Sequence, residues 1–292
     1  MAAAWTKGFG KRIKALFKPS QKKRGDPMEP RVLQTINCHD CDIIPKVDNA
    51  GEINRIHNPP FQVMHNGVKV VLGGYHGDWM QRIISSLKGH HEPQEERVFY
   101  EILKLIDRKN PVMLELGSFW AYYSLWFRDS FPEGSNYLVE PILKKLNLGR
   151  RNFKLNGVSG KFLHGCVGSV YKDPMTFVDW NDEQIEMTQY SVDSIVQQHG
   201  LEFIDILHSD IQGAEMDMLK GSEESIAAHK IGYFLISTHG NMHEQCLAFF
   251  NEKSLHVIAE HSIKASASAD GLIVAQSSAV PHIDSVIITK LV

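Results

Sequence analysis

The stretch PVMLELGSFWAYYS, Pro111 to Ser124, reads as a buried strand that stops at a glycine turn and passes directly into a helix. Val112, Met113 and Leu114 form an apolar run behind Pro111. Gly117 lets the backbone turn sharply, and Trp120 to Arg128 carries helical apolar spacing. Glu115 is the odd member. A carboxylate at the end of a buried strand needs a donor, whether a backbone amide, a ligand hydroxyl or a ligand ammonium. Working outward, Asn136-Tyr137-Leu138-Val139 is a second such strand and ends in Glu140, 23 positions beyond Gly117 (140 − 117). An acid about 20 positions after a glycine turn is where Rossmann-like folds hold a ribose by its hydroxyls.

The same alternation continues on both sides. Val98, Ile102, Leu105 and Ile106 mark a helix before the first strand, and Leu143, Leu146, Leu148 and Phe153 mark one after Glu140. Lys161 to Val167 reads as a third strand, followed by an irregular polar stretch. Phe203 to His208 and Ile231 to Ser237 read as a fourth and fifth, each leading into a helical segment, from Ala214 and from Met242. Leu255 to His261 and Leu272 to Ala275 flank a turn of small residues, Ala265 to Gly271, which predicts a closing antiparallel pair. The fold class is therefore α/β: a doubly wound, Rossmann-like sheet, mostly parallel with a C-terminal antiparallel strand, preceded by an irregular appendage. In such sheets ligands sit beyond the carboxyl ends of the strands, at the switch in strand order.

The boundaries predicted are a basic tail over 1–25, an appendage over 26–90 and the α/β domain over 91–292. Within the appendage, Phe61 to Met64 and Val68 to Val71 flank His65-Asn66-Gly67, an Asn-Gly hairpin signal. Cys38-His39-Asp40-Cys41 lacks the second cysteine pair of a zinc site and reads as loop cysteines. The four cysteines are too few and irregular for a disulfide framework, no apolar run reaches the ~18 residues of a membrane span, and the N-terminus has no signal-peptide core, so a cytoplasmic location is expected. The net charge of −3 conceals a division. Residues 1–25 hold eight of the 31 Lys and Arg and no acid, which leaves 23 basic against 34 acidic residues, a balance of −11. An acidic body argues against a nucleic-acid partner. In the tail, Trp5, Phe9, Ile13, Leu16 and Phe17 share a helical face opposite the lysines, a pattern suited to peripheral contact with an anionic membrane.

The glycine turn is not a dinucleotide fingerprint, because Gly117 is followed by Ser-Phe-Trp-Ala without further glycines to admit a pyrophosphate. A smaller cofactor with a ribose and an amino-acid end, S-adenosylmethionine, fits such a turn. Ser191-Val192-Asp193, then Ile204-Asp205-Ile206-Leu207-His208-Ser209-Asp210-Ile211-Gln212-Gly213-Ala214-Glu215, then Leu219-Lys220-Gly221 together resemble the FkbM family of S-adenosylmethionine-dependent methyltransferases. Glu92-Pro93-Gln94-Glu95 resembles the family's Glu-Pro-Glu element, and Tyr122-Tyr123-Ser124 its Tyr-Tyr-Ser. The chain departs from the family at Glu115 for Asp, Phe119 for Asn, Ala121 for the second Gly, His208 for Lys and Gln212 for Glu.

The resemblance implies O-methyl transfer to a hydroxyl of a sugar, glycan or natural product; the competing reading is a scaffold that keeps the fold without turnover. The cofactor-binding residues expected are Glu92, Glu115, Gly117, Ser118, Tyr123, Ser124, Glu140, Cys166, Val167 and Asp210. Gly117 and Ser118 meet the amino-acid end, Glu140 the ribose, and Cys166 and Val167 the adenine. Methyl transfer is an in-line displacement that needs alignment and removal of a proton. Asp210 and His239, each at a strand end, are the candidate catalytic residues. His208, Asp210 and His239 also offer donors to a divalent metal, but two strand ends do not define a coordination sphere, so no metal site is assigned. His90 and His91 are consecutive, and their side chains are expected to diverge.

Overall fold

The computed structural model describes residues 28–178 and 183–291. The tail over 1–25 lies outside these residues. In the appendage a helix, α1 (Glu29–Ile36), precedes three short strands, β1 (Ile53–Asn54), β2 (Phe61–Val63) and β3 (Lys69–Val71), and a second helix, α2 (Asp78–Ser86). The predicted hairpin is present, with Val63 opposite Lys69 and Gly67 at φ 90° in the turn. Cys38 and Cys41 are buried and free, and burial pushes both thiols up.

From α3 (Pro93–Leu103) the chain alternates β4 (Val112–Leu116), α4 (Tyr122–Ser130), β5 (Ser135–Glu140), α5 (Leu143–Leu155) and β6 (Lys161–Val167). The stretch after β6 read as irregular forms an antiparallel hairpin, β7 (Lys172–Val178) and β8 (Gln184–Tyr190). Alternation is short here, with Ile185 and Met187 between Gln184, Glu186 and Thr188 in β8, and β7 is interrupted by a register shift between Lys172 and Met175. Then follow α6 (Val192–His199), β9 (Ile204–Ser209), α7 (Glu215–Lys220), α8 (Glu223–Ala227), β10 (Ile231–Thr238), α9 (Met242–Glu252), β11 (His256–His261) and β12 (Gly271–Gln276).

One nine-stranded sheet runs β11-β12-β10-β9-β4-β5-β6-β8-β7. The inner strands pair parallel, whereas β12 lies antiparallel to both β10 and β11. The order reverses between β4, which leads to β5 on one side, and β9, which lies on the other. Both strands are buried along nearly their whole length, as their apolar runs require. One side of the sheet is packed by Leu114, Leu207, Phe234 and Phe250. The other is packed by Met113, Phe99, Trp126 and Phe127, and this second cluster also takes in Met64, Val68 and Val70 of the appendage. The appendage is therefore built into the core of the α/β unit, and Asn152 and Asn156 of α5 accept the β3 amides of Val71 and Lys69, each at 2.8 Å. Among the described residues no helix is long and apolar enough to cross a membrane.

Candidate functional site

The carboxyl ends of β4, β5, β6, β9 and β10 open on one side of the sheet, and the turn after β4 organises them. Gly117 has φ 75°, and a Cβ placed on it would stand 1.9 Å from the Asp210 carbonyl oxygen. The amides of Gly117 and Ser118 both donate to the Val139 carbonyl, at 2.9 and 3.0 Å, while the Asp210 amide donates to Leu116 at 2.9 Å. The β4 turn is thus clamped between β5 and β9. Ala121 has φ 62° and holds a left-handed conformation at some cost before α4 begins.

Two chambers meet at this turn. The first is a polar cavity of about 20 Å³, room for roughly one water, walled by Glu92, Glu95, Glu115, Ser118, Tyr123 and His208. The second is a more apolar cleft of about 220 Å³ between Glu140, Ile142, Cys166, Val167, Phe177 and Ile211. Gly117 and Asp210 border both. Of the residues expected to bind cofactor, the structure brings all but Ser124 onto these walls. Ser124 is wholly buried behind the cavity, where its amide donates to Glu115 Oε2 at 3.2 Å.

Each carboxylate has a distinct setting. Burial pushes the Glu115 carboxyl up to about 7, with the charge of His208 and the Ser124 hydrogen bond opposing it. Glu140 is raised by burial as well, although its Oε1 accepts the Ile142 amide at 2.8 Å and its Oε2 the Phe119 amide at 3.1 Å. Those two amides fix the side chain at the edge of the cleft with lone pairs to spare. Glu95, the last residue of the Glu92-Pro93-Gln94-Glu95 element, is buried and lies 2.7 Å from His208 Nε2. Burial works against charge on His208, and the Glu95 carboxylate more than offsets it, so the imidazole is raised above its ordinary value.

At the end of β9, Asp210 would be raised by burial, but the close-lying charge of His239 brings it down to about 2. His239 in turn meets three carboxylates. Its Nδ1 pairs with Glu215 Oε1 at 2.6 Å, and its Nε2 lies 3.2 Å from both Asp210 Oδ1 and Asp270 Oδ1. They hold it well above the ordinary histidine value in spite of burial. Gln212, at φ 56°, places its amide nitrogen 2.9 Å from Asp210 Oδ1 and 2.8 Å from His239 Nε2. An amide N–H there calls for a lone pair on Nε2, whereas the carboxylates call for a proton, and the two demands conflict. Asp270 was not apparent from sequence. Its only signal is that it is the single acid in the small-residue turn between β11 and β12.

Behind the polar cavity lies a second buried network. Glu96 is wholly buried; it meets His90 Nδ1 through Oε2, while its Oε1 accepts the amides of His91 at 2.7 Å and Glu92 at 3.1 Å. The His91 ring lies against Glu96 (2.7 Å) and Glu92 (3.2 Å), a charge contact without an in-line hydrogen bond. The consecutive imidazoles therefore converge rather than diverge, because residues 90 and 91 sit in the loop before α3, outside any regular periodicity. His90 stacks on His65 of the appendage with centroids 4.3 Å apart, and His65 Nδ1 lies 2.9 Å from the Tyr122 hydroxyl.

The arrangement fits S-adenosylmethionine. Ser118 Oγ and His208 Nδ1 beside the polar cavity are buried without a hydrogen-bond partner among the described residues, which suits one polar group of an amino-acid end at the cavity's mouth. Beyond it a fixed carboxylate, Glu140, faces a cleft with an apolar wall, as a ribose and adenine require. Known structures with similar coordinates include M. capricolum TrmK bound to S-adenosyl-homocysteine (14% identity, 64% of this chain and 71% of that chain, TM-score 0.42). Another is a precorrin-6y C5,15-methyltransferase from Geobacter metallireducens (13% identity, 62% and 88%, TM-score 0.41). No curated protein sequence matches significantly. Residues 108–261 match the Methyltransferase FkbM domain, which is more than half of the 292 residues. From β4 through β11 the matched segment carries the glycine turn, Glu140 and Asp210, and the chain belongs to the FkbM methyltransferase family, with S-adenosylmethionine as its cofactor.

Proposed function

We propose that this chain methylates a hydroxyl oxygen on a small molecule or glycan, with a sugar or a natural product as acceptor. The observation that carries this reading is the place of Asp210, an ionised carboxylate at the junction of the two chambers with about a third of its side chain exposed (32%). S-adenosylmethionine supplies an electrophilic methyl group on sulfur. Gly117 and Ser118 meet its amino-acid end at the mouth of the polar cavity, Glu140 accepts from the ribose hydroxyls, and Cys166 and Val167 border the adenine. Asp210 then stands beside the sulfonium, on the side from which an acceptor enters.

In this reading Asp210 acts by orientation and charge more than by taking a proton outright, since a carboxyl near 2 is a weak base toward an alcohol. His239 is a positioning residue, seated against three carboxylates. Calorimetric titration with S-adenosyl-homocysteine tests the cofactor half. Glu140→Ala is expected to weaken binding about 10- to 100-fold, the loss of hydrogen bonds to a charged group. Unchanged affinity would remove Glu140 from the site. Methyl transfer across a panel of glycans and hydroxylated natural products tests the acceptor half. Cofactor binding with no turnover on any of them would favour a scaffold that has kept the fold.

A further inference from the structure

We infer that Asp210, His239 and Asp270, with Gln212 as a fourth donor, form a binding site for a divalent cation of the Mg²⁺ or Mn²⁺ class. Asp210 Oδ1 and Asp270 Oδ1 each lie 3.2 Å from His239 Nε2. All three donor atoms fall within 4.8 Å of one another. Ligands about 2.1 to 2.2 Å from an octahedral ion stand about 3 Å apart when they occupy neighbouring corners, so the spacing is that of cis ligands.

The directions agree with the distances. His239 Nε2 makes close ion-pair contacts with both carboxylates but no in-line hydrogen bond to either. An oxygen displaced from the ring-nitrogen axis is misplaced for an N–H donor and correctly placed for an ion lying on that axis. The other ring nitrogen is committed, since Nδ1 meets the fully buried Glu215 at 2.6 Å. A carboxylate accepting from one imidazole nitrogen while the other faces outward is the usual support behind a metal-bound histidine, because it sets the tautomer. Protons alone leave the group frustrated. A single Nε2 faces two carboxylates, which call for a proton on it, and the Gln212 N–H, which calls for a lone pair, and one nitrogen cannot offer both. A cation satisfies them together, with the Gln212 amide turned so that Oε1 points to the same spot, 2.8 to 2.9 Å from its neighbours.

The donor set is oxygen-rich with one imidazole, which suits Mn²⁺ or Mg²⁺ over thiophilic ions. Four protein donors leave two positions of an octahedron for acceptor oxygens or water. Resting on the O-methyl reading above, this points to an acceptor with two adjacent oxygens, such as a vicinal diol of a sugar, whose hydroxyl pKa the ion lowers. It supplies an activation that Asp210 and His239, engaged as its ligands, do not.

Mn²⁺ titration followed by electron paramagnetic resonance tests the site without any acceptor. The expected result is one equivalent of free-Mn²⁺ signal lost on adding wild-type protein, competed by Mg²⁺. Asp270→Asn should weaken binding more than about 10-fold, and Glu215→Gln about 10- to 100-fold, with thermal transitions retained as the check on folding. Wild-type protein that leaves the Mn²⁺ signal unchanged at millimolar concentration overturns the site, with or without S-adenosyl-homocysteine present. So does wild-type affinity in folded Asp270→Asn. Intact Mn²⁺ binding with no methyl transfer to any hydroxyl would leave the site standing and remove the O-methyl reading.

Discussion

Glu96→Ala is expected to destabilise the fold by about 3 to 5 kcal/mol, the usual cost of removing one partner from a buried charged pair. The carboxylate lies at the centre of the loop before α3, where it receives His90 and two backbone amides and lies against the His91 ring. Without it, those donors remain buried with nothing to accept them, and a cavity opens beside Tyr122 and His65. Glu96→Gln should cost less, because its carbonyl oxygen still accepts the amides. Urea unfolding followed by circular dichroism measures both, and equal stability of Glu96→Ala and wild type would show that the network carries no net energy.

The same network sets a pH window. Burial would raise Glu96, but the charges of His90 and His91 hold it well below 4.5, so its contribution is present above that value and is lost as the pH falls through the folded value. Burial would lower His91, but Glu92 and Glu96 raise it to about 10. Its contribution is complete below 6.5 and is lost as the pH rises toward 10. Both are intact only between these limits, so the unfolding free energy should decline from about pH 7 upward at up to roughly 1.4 kcal/mol per unit. In His91→Gln that alkaline slope should flatten. A wild-type profile that is level between about pH 7 and 9.5 would contradict the assignment.

Gly117→Ala is expected to abolish cofactor binding. The added methyl would sit 1.9 Å from the Asp210 carbonyl, and backbone cannot yield as a flexible side chain does. Relieving the contact means pulling β4 away from β9, where the Asp210 amide ties to Leu116, while the amides of Gly117 and Ser118 hold the turn to Val139 of β5. The positive φ adds about 1 kcal/mol or more, and overpacking about 1 to 3, so a loss near 3 kcal/mol of stability accompanies the loss of the site. Titration with S-adenosyl-homocysteine reads the first effect and urea unfolding the second. Ala121→Gly, at φ 62°, should act oppositely, since glycine relieves the strain at that position.

Much of the fold was legible because the parallel strands are buried on both faces and announce themselves as apolar runs ending in a glycine or an acid. Pro111 to Ser124 and Ile204 to Gln212 carry that pattern without interruption, and they lie next to each other in the sheet. The β7–β8 hairpin was harder to read, because its alternation runs for only a few residues in each strand and β7 is broken by a register shift between Lys172 and Met175. The site divides along the same line. Strand ends could be found by counting, which placed Glu115, Glu140 and Asp210. Pairings made by the tertiary fold could not. Glu95 reaches His208 across 113 positions, and nothing local marks Asp270 as a neighbour of His239. His90 and His91 show the limit from another side, since periodicity says nothing about two side chains in a loop.

The acids that close the site come from outside the segment that defines the family. Glu92, Glu95 and Glu96 precede residue 108, and Asp270 follows residue 261. The shared core thus supplies most of the cofactor's seat, while the flanks add Glu92 and Glu95 to the polar cavity and Asp270 beside His239. Two chains could match equally well through that core and still accept different molecules. Grouping relatives by what stands at the α3 loop and at the β11–β12 turn should then sort them by acceptor, where grouping by overall likeness would not.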